Sequence, residues 1–468
     1  MSIHIHLGQC GNQLGIDFWK LAHKTYGPVK PSAPLNPLSA YDGTCSALFH
    51  SNGASRAIWV DTEPKVVVQA LREGYACKER VSYEQGGRGN NFAHGFTESM
   101  ALCDDTLERV RLEIETLDYY RGAALWHSIG GGTGSGSGSK LCELLRDAYP
   151  RSHILTVSVT ACRGSESPIF NYNSALALAA LHENVDGTIL LQNEELLKEL
   201  QPDGCTIKRP DNLNISIASI NELATTKLSG MLFPVHKIES SGSCQPRPIY
   251  QRAFDIGDLV ASTCPSWNMK YLNIASSLST PQISRGTRRS WNKTVGDFRH
   301  SIRPLDRDSN VIECFGSKIY VRFPRTEIRR MISCRNAVKQ SNKRSLENER
   351  SFLPSEAIIR RNLLKVYNYP PWYPETSQFH DILYSCELSR DTEDKSITAC
   401  SNTTKCIPLM ERLVWRGETM LRANAYVHWY AQFGLEKADF SEAFTSINGI
   451  IDTYRCHSLG ASSLPKTY

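Results

Sequence analysis

The sequence predicts an α/β fold built on a parallel sheet, with ligand-holding turns at the ends of its strands. Three stretches predict it. HSIGGGTGSGSGSK, residues 127–140, sets six glycines between an apolar run and a leucine-rich run. GQCGNQ, Gly8 to Gln13, follows a first strand-like run in the same way. RAIWVDTEPKVVV, residues 56–68, puts two carboxylates at a strand end just before a proline.

The first stretch is flanked by AALWHSI, Ala123 to Ile129, which is apolar enough for a buried strand. Beyond it, Leu141, Leu144, Leu145 and Ala148 fall at i, i+3, i+4 and i+7, one face of a helix that Pro150 stops. Strand, glycine turn and helix together are half of a nucleotide-binding unit. Glycine permits positive φ and close approach to a ligand. The turn's N–H groups and the helix N-terminus offer partial positive charge to phosphate. Ser128, Thr133, Ser135 and Ser137 add hydroxyl donors. A Gly/Ser linker rarely sits directly between a buried strand and an amphipathic helix, so a phosphate loop is the expectation. Its spacing matches neither common class. Ser139 rather than glycine precedes Lys140, which excludes Walker A, and Ser137 stands where G-x-G-x-x-G needs its third glycine.

At the N-terminus, Ile3, Ile5 and Leu7 alternate with Ser2, His4 and His6, a strand pattern. Gly8 to Gln13 then reads as a turn, with a helix from Leu14 that puts Leu14, Phe18 and Leu21 on one face. Ala57 to Val60 reads as a strand. Asp61 and Glu63, just past it, can hold Mg²⁺ directly or through water beside bound phosphates. Pro64 opens a helix, and capping of that helix by Asp61 or Thr62 is the commoner use of such residues. QGGRGNNFAHG, residues 85–95, is a third glycine loop whose Arg88, Asn90 and Asn91 can donate to phosphate, or a plain surface turn. Asn193, after the strand-like TILLQ, and Asn221, near a helix start, each carry the donor and acceptor that can pair with a base edge, although capping serves equally.

The 468 residues suffice for two or three domains, and 41% hydrophobic with 22% charged residues is a globular balance. No run approaches ~18 apolar residues, and MSIHIHLGQ lacks the basic start and apolar core of a signal peptide, so no membrane insertion is expected. The 15 cysteines form no C-x-x-C pair, which excludes a zinc framework and suits a reducing cytosol. The net charge of +5 is uneven: residues 281–370 hold 20 Lys/Arg and 8 Asp/Glu, so 20 − 8 = +12. Such a surface can meet acidic protein tails or RNA, with solvated loops the weightier reading. Aromatics are not interleaved as a nucleic-acid platform requires, and DNA is not expected as a partner.

GGGTGSG at 130–136, GQCGNQ, RAIWVDTEP, GRGNNFAHG, NYNSALAL at 171–178 and QNEELL at 192–197, in this order, resemble the tubulin family from about residue 5 to about 452. AYVHWYAQFGLEKADFSEAF, residues 425–444, resembles its C-terminal helix pair. The resemblance implies a tubulin fold: a Rossmann-like GTP-binding domain over 1–205, a core helix near Asn221 with an intermediate α/β domain over 206–385 that carries the basic insertions, and C-terminal helices over 386–468. It implies GTP as cofactor. Gln9, Cys10 and Gln13 would lie along phosphate, ribose and guanine. Asn90 would face phosphate, Ser128, Gly132, Thr133 and Gly134 would cradle the phosphates, and Asn193 and Asn221 would read guanine. Glu63 would be the magnesium-linked acid. In tubulins an acid of the next subunit completes hydrolysis; the matching position is Asp258, in DIGDLVASTCP, where an aspartate can orient water as a general base. A helical surface acid is the alternative.

Within the family the chain most resembles the delta class. It opens with MSI, carries VDTEPKVV, NYNSALAL and GDLV, and its last sixteen residues, TYRCHSLGASSLPKTY, hold no Asp or Glu where alpha- and beta-tubulins are glutamate-rich. Epsilon-tubulin is the nearest competitor. The delta resemblance implies a protein of centrioles and basal bodies that supports triplet microtubules and cilium assembly. Its compartments would be cytoplasm, cytoskeleton, centrosome and basal body, with the nucleus as a further one. Its partners would be microtubules and other tubulins, epsilon-tubulin first and alpha/beta-tubulin with it. Two positions depart from the family. Ile217 stands where tubulins stack an aromatic on the base, and Phe170 where they often place an acid near the ribose. Guanine binding is therefore expected to be retained but weaker or less selective. The rival reading is a structural subunit that caps or cross-links microtubules without hydrolysis. A dinucleotide enzyme lacks its motif here.

Overall fold

The computed structural model describes residues 2–26, 47–50, 52–161, 167–201, 215–238, 248–279, 291–302, 312–324, 354, 356–370, 372, 380–387 and 395–459. Most of the basic segment, with Arg329, Arg330, Lys343 and Arg344, lies outside them.

Six parallel strands form the first half: β1 (Ser2–Leu7), β2 (Ala57–Asp61), β3 (Val81–Tyr83), β4 (Gly122–Ser128), β5 (His153–Thr160) and β6 (Gly187–Gln192). Their order is β3-β2-β1-β4-β5-β6, so the chain reverses direction across the sheet between β1 and β4. That is the switch point at which α/β sheets bind ligands, outside the carboxyl ends of the strands. The helices are α1 (Gly8–Tyr26), α2 (Pro64–Arg72), α3 (Phe92–Thr97), α4 (Met100–Glu115), α5 (Gly138–Ala148), α6 (Phe170–Asn184), α7 (Asn193–Leu200) and α8 (Ile217–Leu232).

Parallel strands covered by helices on both sides bury both faces. The alternation in β1 is therefore not inside against outside. Ile3, Ile5 and Leu7 join one core with α3 to α6, while His4 and His6 face the other among Phe18, Trp19, Trp59 and Trp126. Trp19 Nε1 donates to His6 Nε2 at 2.9 Å.

The second half is a mixed sheet joined to the first. A ribbon, β7 (Val235–Ile238) with β8 (Pro248–Arg252), leads to α9 (Ile256–Thr263), β9 (Tyr271–Ser279), α10 (Trp291–Ile302) and β10 (Ile312–Pro324). Then come α11 (Glu356–Leu363), β11 (Tyr367–Asn368), β12 (His380–Glu387) and β13 (Lys395–Thr403). β9 pairs with β6 through Thr188 and Ile189, making one eleven-stranded sheet. Strands thus continue past 386: β13 lies between β9 and β10, where its hydrogen bonds are satisfied on both sides, and helices take over only from Thr404.

The last helices are α12 (Ile407–Arg422), α13 (Val427–Ala431) and α14 (Lys437–Leu459). Leu409, Leu413, Tyr430, Phe440, Phe444 and Tyr454 belong to the same core as Tyr172 and Leu176 of α6, so these helices close the nucleotide-side half rather than standing apart.

Candidate functional site

The 127–140 stretch follows β4 at the switch point. Residues 129–132 turn, Thr133–Ser137 form a wide helical turn, and α5 continues from it. None of its six glycines has positive φ, so the expectation of left-handed turns is corrected. The glycines are there for close packing. A methyl on Gly134 would lie 2.5 Å from Ser128 O, and one on Gly132 would lie 2.7 Å from Arg88 O. A methyl on Gly131 would meet only Asn90 Oδ1, at 3.8 Å, which marks the open side of the loop. His127 fixes the turn from below. Its Nδ1 bonds Gly134 O at 2.7 Å, and since a carbonyl only accepts, Nδ1 carries the proton. Nε2 then accepts from Ser158 Oγ at 2.8 Å. Burial lowers His127 to about 4, so it stays neutral.

GQCGNQ is not a separate turn. Gly8, at φ 74°, pivots the chain and α1 begins there, so Gln9, Cys10 and Gln13 lie in its first two turns. Gly8 abuts the loop: a methyl on it would sit 3.3 Å from Gly134 N. The start of α1 therefore points its unpaired N–H groups toward the same crevice. Gln9 is exposed, and Gln13 and Cys10 are half-buried. Apolar surroundings push the Cys10 thiol up to about 12, so it is protonated at neutral pH.

At the end of β2, Asp61 is 4% exposed. Burial raises it to about 6 against the pull of hydrogen bonds from the Glu63 and Thr62 amides and from Asn12, with the Glu63 charge adding to the rise. Asn12 Nδ2 donates to Val60 O at 2.9 Å and to Asp61 Oδ2 at 3.3 Å, while the buried Asn12 Oδ1 has no partner. Neither Asp61 nor Thr62 caps α2, whose N-cap is Glu63 without a side-chain bond. Thr62 Oγ1 and Thr133 Oγ1 lie 2.6 Å apart and tie this corner to the glycine loop. Glu63 is exposed beside Gly87. No group of three His, Cys, Asp or Glu suited to a metal exists among the described residues. Two carboxylates and an unpartnered amide oxygen at a phosphate loop fit Mg²⁺ held mainly by phosphate and water, not by an all-protein cage.

The third loop divides its labour. Arg88 does not face a ligand: it is buried and bonds Glu84, Ser99, Gly86 O and Glu98 O. Asn91 caps α3. Asn90, exposed at φ 52°, stands at the open side of the glycine loop. The residue that joins the loops is Asn173, absent from the candidates above although NYNSALAL contains it. Asn173 Nδ2 donates to Asn90 O at 2.6 Å and Gly130 O at 3.0 Å, and its Oδ1 accepts from Phe92 N at 2.9 Å and Tyr430 Oη at 2.6 Å.

On the other side, Asn193 opens α7 and Asn221 lies in the second turn of α8, which packs against α1. Both are half-buried. Ile217, first residue of α8, is 70% exposed. Phe170, first residue of α6, lies against Gly130, where a methyl would come within 2.3 Å of its ring. A polar cavity of about 50 Å³ among Glu195, Glu199, Asn273, His300, Tyr367 and Lys405 shares no residue with this crevice.

Residues 2–201 match the Tubulin/FtsZ family, GTPase domain. Residues 2–201 thus form a GTPase domain of the Tubulin/FtsZ family. It is 27% identical to the tubulin beta-1 chain of Geotrichum candidum over 97% of this chain and 94% of that protein. It is 24% identical to the tubulin delta chain of Homo sapiens and 25% identical to that of Macaca fascicularis, each over 97% of this chain and 99% of the relative. That domain implies GTP binding, and the tubulins that the chain resembles over nearly its whole length are microtubule proteins. No helix among the described residues is long and apolar enough to cross a membrane.

The fold separates Asp258 from the crevice. α9 begins at the amino ends of the strands: Asp255 Oδ2 lies 3.3 Å from Arg121 Nη1, just before β4, and a methyl on Gly257 would lie 2.6 Å from Nε2 of His153, the first residue of β5. The glycine loop leaves the carboxyl end of β4, about 20 Å away at ~3.3 Å per residue. Asp258, in the first turn of α9, pairs with Lys318 Nζ of β10 at 2.8 Å.

Proposed function

We propose that this chain is a delta-type tubulin of centrioles and basal bodies, which binds GTP at the β1/β4 crevice and has its hydrolysis completed across a contact between subunits. One observation carries the mechanism. The phosphate loops sit at the carboxyl ends of the strands and Asp258 at their amino ends, so Asp258 serves the phosphate of a neighbour stacked head to tail, not its own. GTP brings the phosphoanhydride bond. The amides of 131–135 and the start of α1, with Thr133 and Ser128 hydroxyls and Asn90, hold its phosphates. Glu63, with Asp61, holds Mg²⁺ through water. Asn193 and Asn221 pair with guanine, and the neutral Cys10 packs without charge. Asp258 accepts a proton from the attacking water.

Delta relatives matched over nearly their whole length support the delta assignment, as do the motifs; beta relatives match at similar identity. Epsilon-tubulin and alpha/beta-tubulin are the partners of this reading. Two measurements test it. Purified protein is denatured and its released nucleotide identified, with Thr133→Ala and Asn193→Asp beside it. Released GTP or GDP, lost in both variants, is expected, and equal affinity for ATP would sink guanine selectivity. A tagged chain is expected at centrioles and basal bodies; labelling along the whole microtubule lattice would refute the delta role.

A second reading is a subunit that caps or cross-links microtubules without hydrolysis. The engagement of Asp258 by Lys318 favours it.

A further inference from the structure

Lys318 is 1% exposed, on a central strand, and with Lys227 and Lys270 is one of three buried lysines among the described residues. Burying a lysine costs several kcal/mol, and an apolar side chain of similar volume is often the more stable choice at such a place. Stability is thus a poor account of why Lys318 is charged. Its ammonium emerges under α9, donating to Asp258 Oδ2 at 2.8 Å and to Ser262 Oγ at 3.3 Å. Asp258 and Ser262 are one turn apart on the same helix face, and Ser262 Oγ donates to Asp258 O at 2.7 Å. The three groups form a clamp between helix and sheet. The Asp258 side chain is still 31% exposed, so it lies at the surface while its carboxylate is drawn inward.

We infer that Lys318 is a positioning residue that restrains Asp258, turning its carboxylate onto its own sheet and limiting its reach to a neighbour's phosphate-bound water. This rests on the reading of Asp258 as the acid that completes a neighbour's site. The restraint follows from geometry: an aspartate side chain has two torsions, and one oxygen held from below at hydrogen-bond distance leaves little freedom to turn outward. Release of the carboxylate should raise turnover about five-fold, equivalent to about 1 kcal/mol.

The test measures GTP turnover of the full chain assembled with alpha/beta-tubulin. Lys318→Met is expected to raise turnover about five-fold with nucleotide KM unchanged, and Lys318→Arg to restore the original rate. Asp258→Ala in the Lys318→Met background is expected to remove the gain. Should the Met variant misfold, Lys318→Gln, which keeps the volume and a donor, is expected to show a smaller rise. A rate that falls or stays the same in folded Lys318→Met or Lys318→Gln overturns the restraint. A rise that survives Asp258→Ala overturns instead the assignment of Asp258 itself.

Discussion

Asn173 is the residue whose loss should do most damage for its size. It is fully buried, and its amide closes four hydrogen bonds to two loops and to α13. Asn173→Leu keeps the branched skeleton and removes all four. Phe92 N is then left as a buried donor, since Phe92 is 4% exposed, while Tyr430 Oη can still donate to Ile169 O at 3.5 Å. An unpaired buried donor costs about 1–3 kcal/mol, so about 2 kcal/mol is expected at Phe92. That energy is local to the 90–92 and 130–132 loops. Hydrogen exchange by mass spectrometry reads it there, where ~2 kcal/mol is about one and a half decades of protection for the peptide holding Phe92. GTP affinity should fall with it, because Asn90 and Gly130 lose their common anchor. Asn173→Asp separates the two effects. It still accepts from Phe92 and Tyr430, so Phe92 stays protected, but it turns a carboxylate on the Asn90 and Gly130 carbonyls and should weaken GTP binding alone. Unchanged exchange and unchanged affinity in Asn173→Leu would refute the claim that this side chain joins the loops.

Three further outcomes are expected. Ile217→Tyr should tighten GTP binding about ten-fold in a fluorescence competition, since an aromatic under a base is worth ~1–3 kcal/mol; no gain would mean that Ile217 does not face the base. Glu63→Gln should weaken GTP binding in Mg²⁺ but not in EDTA, and equal losses in both would remove Glu63 from the metal. Acid should unfold the protein through its buried histidines. Burial holds His4, His127 and His182 at about 4 and His6 well below 6.5. The unfolded chain therefore binds these protons first, and stability is lost between about pH 6.5 and 4 at up to about 1.4 kcal/mol per unit per histidine. Asp61, raised to about 6, works the other way between about 6 and 3.8 and offsets one of the four. Denaturant midpoints measured from pH 7 to 4.5 should fall less steeply in His4→Phe, and parallel curves would refute the assignment.

Much of this site was legible because phosphate binding is a backbone property. Glycine runs after apolar strands announce it, and β1, β2 and β4, with the helix that Pro64 opens, fall within a residue or two of their expected places. What was misread has physical causes. GQCGNQ reads as a turn because two glycines weaken the helical signal, yet only Gly8 needs a special φ and the rest sits in α1. Arg88 reads as a phosphate donor because its type suits one, but nothing local shows that Glu84 and Ser99 take its guanidinium. The roles of Asn173 and Lys318 depend on partners 83 and 60 positions away. No period or local motif encodes such a pairing.

The two sides of the crevice should tolerate change differently, and the departures from the family fall accordingly. On the phosphate side Gly132, Gly134 and Gly136 lie against backbone, so one added methyl at Gly132 or Gly134 would move Arg88 or Ser128 and with it the cradle. On the base side the groups are single side chains at the starts of α6, α7 and α8, where Ile217 is open to solvent. A substitution at Ile217 would leave the packing undisturbed. Phosphate affinity is then a condition of folding, while base selectivity is free to drift. Ile217 and Phe170 both fall where drift is cheap. Phe170 also gains something in return, since its ring covers Gly130 and seals one edge of the loop. A Phe170→Glu change should therefore loosen the 130–132 loop rather than simply restore a ribose contact.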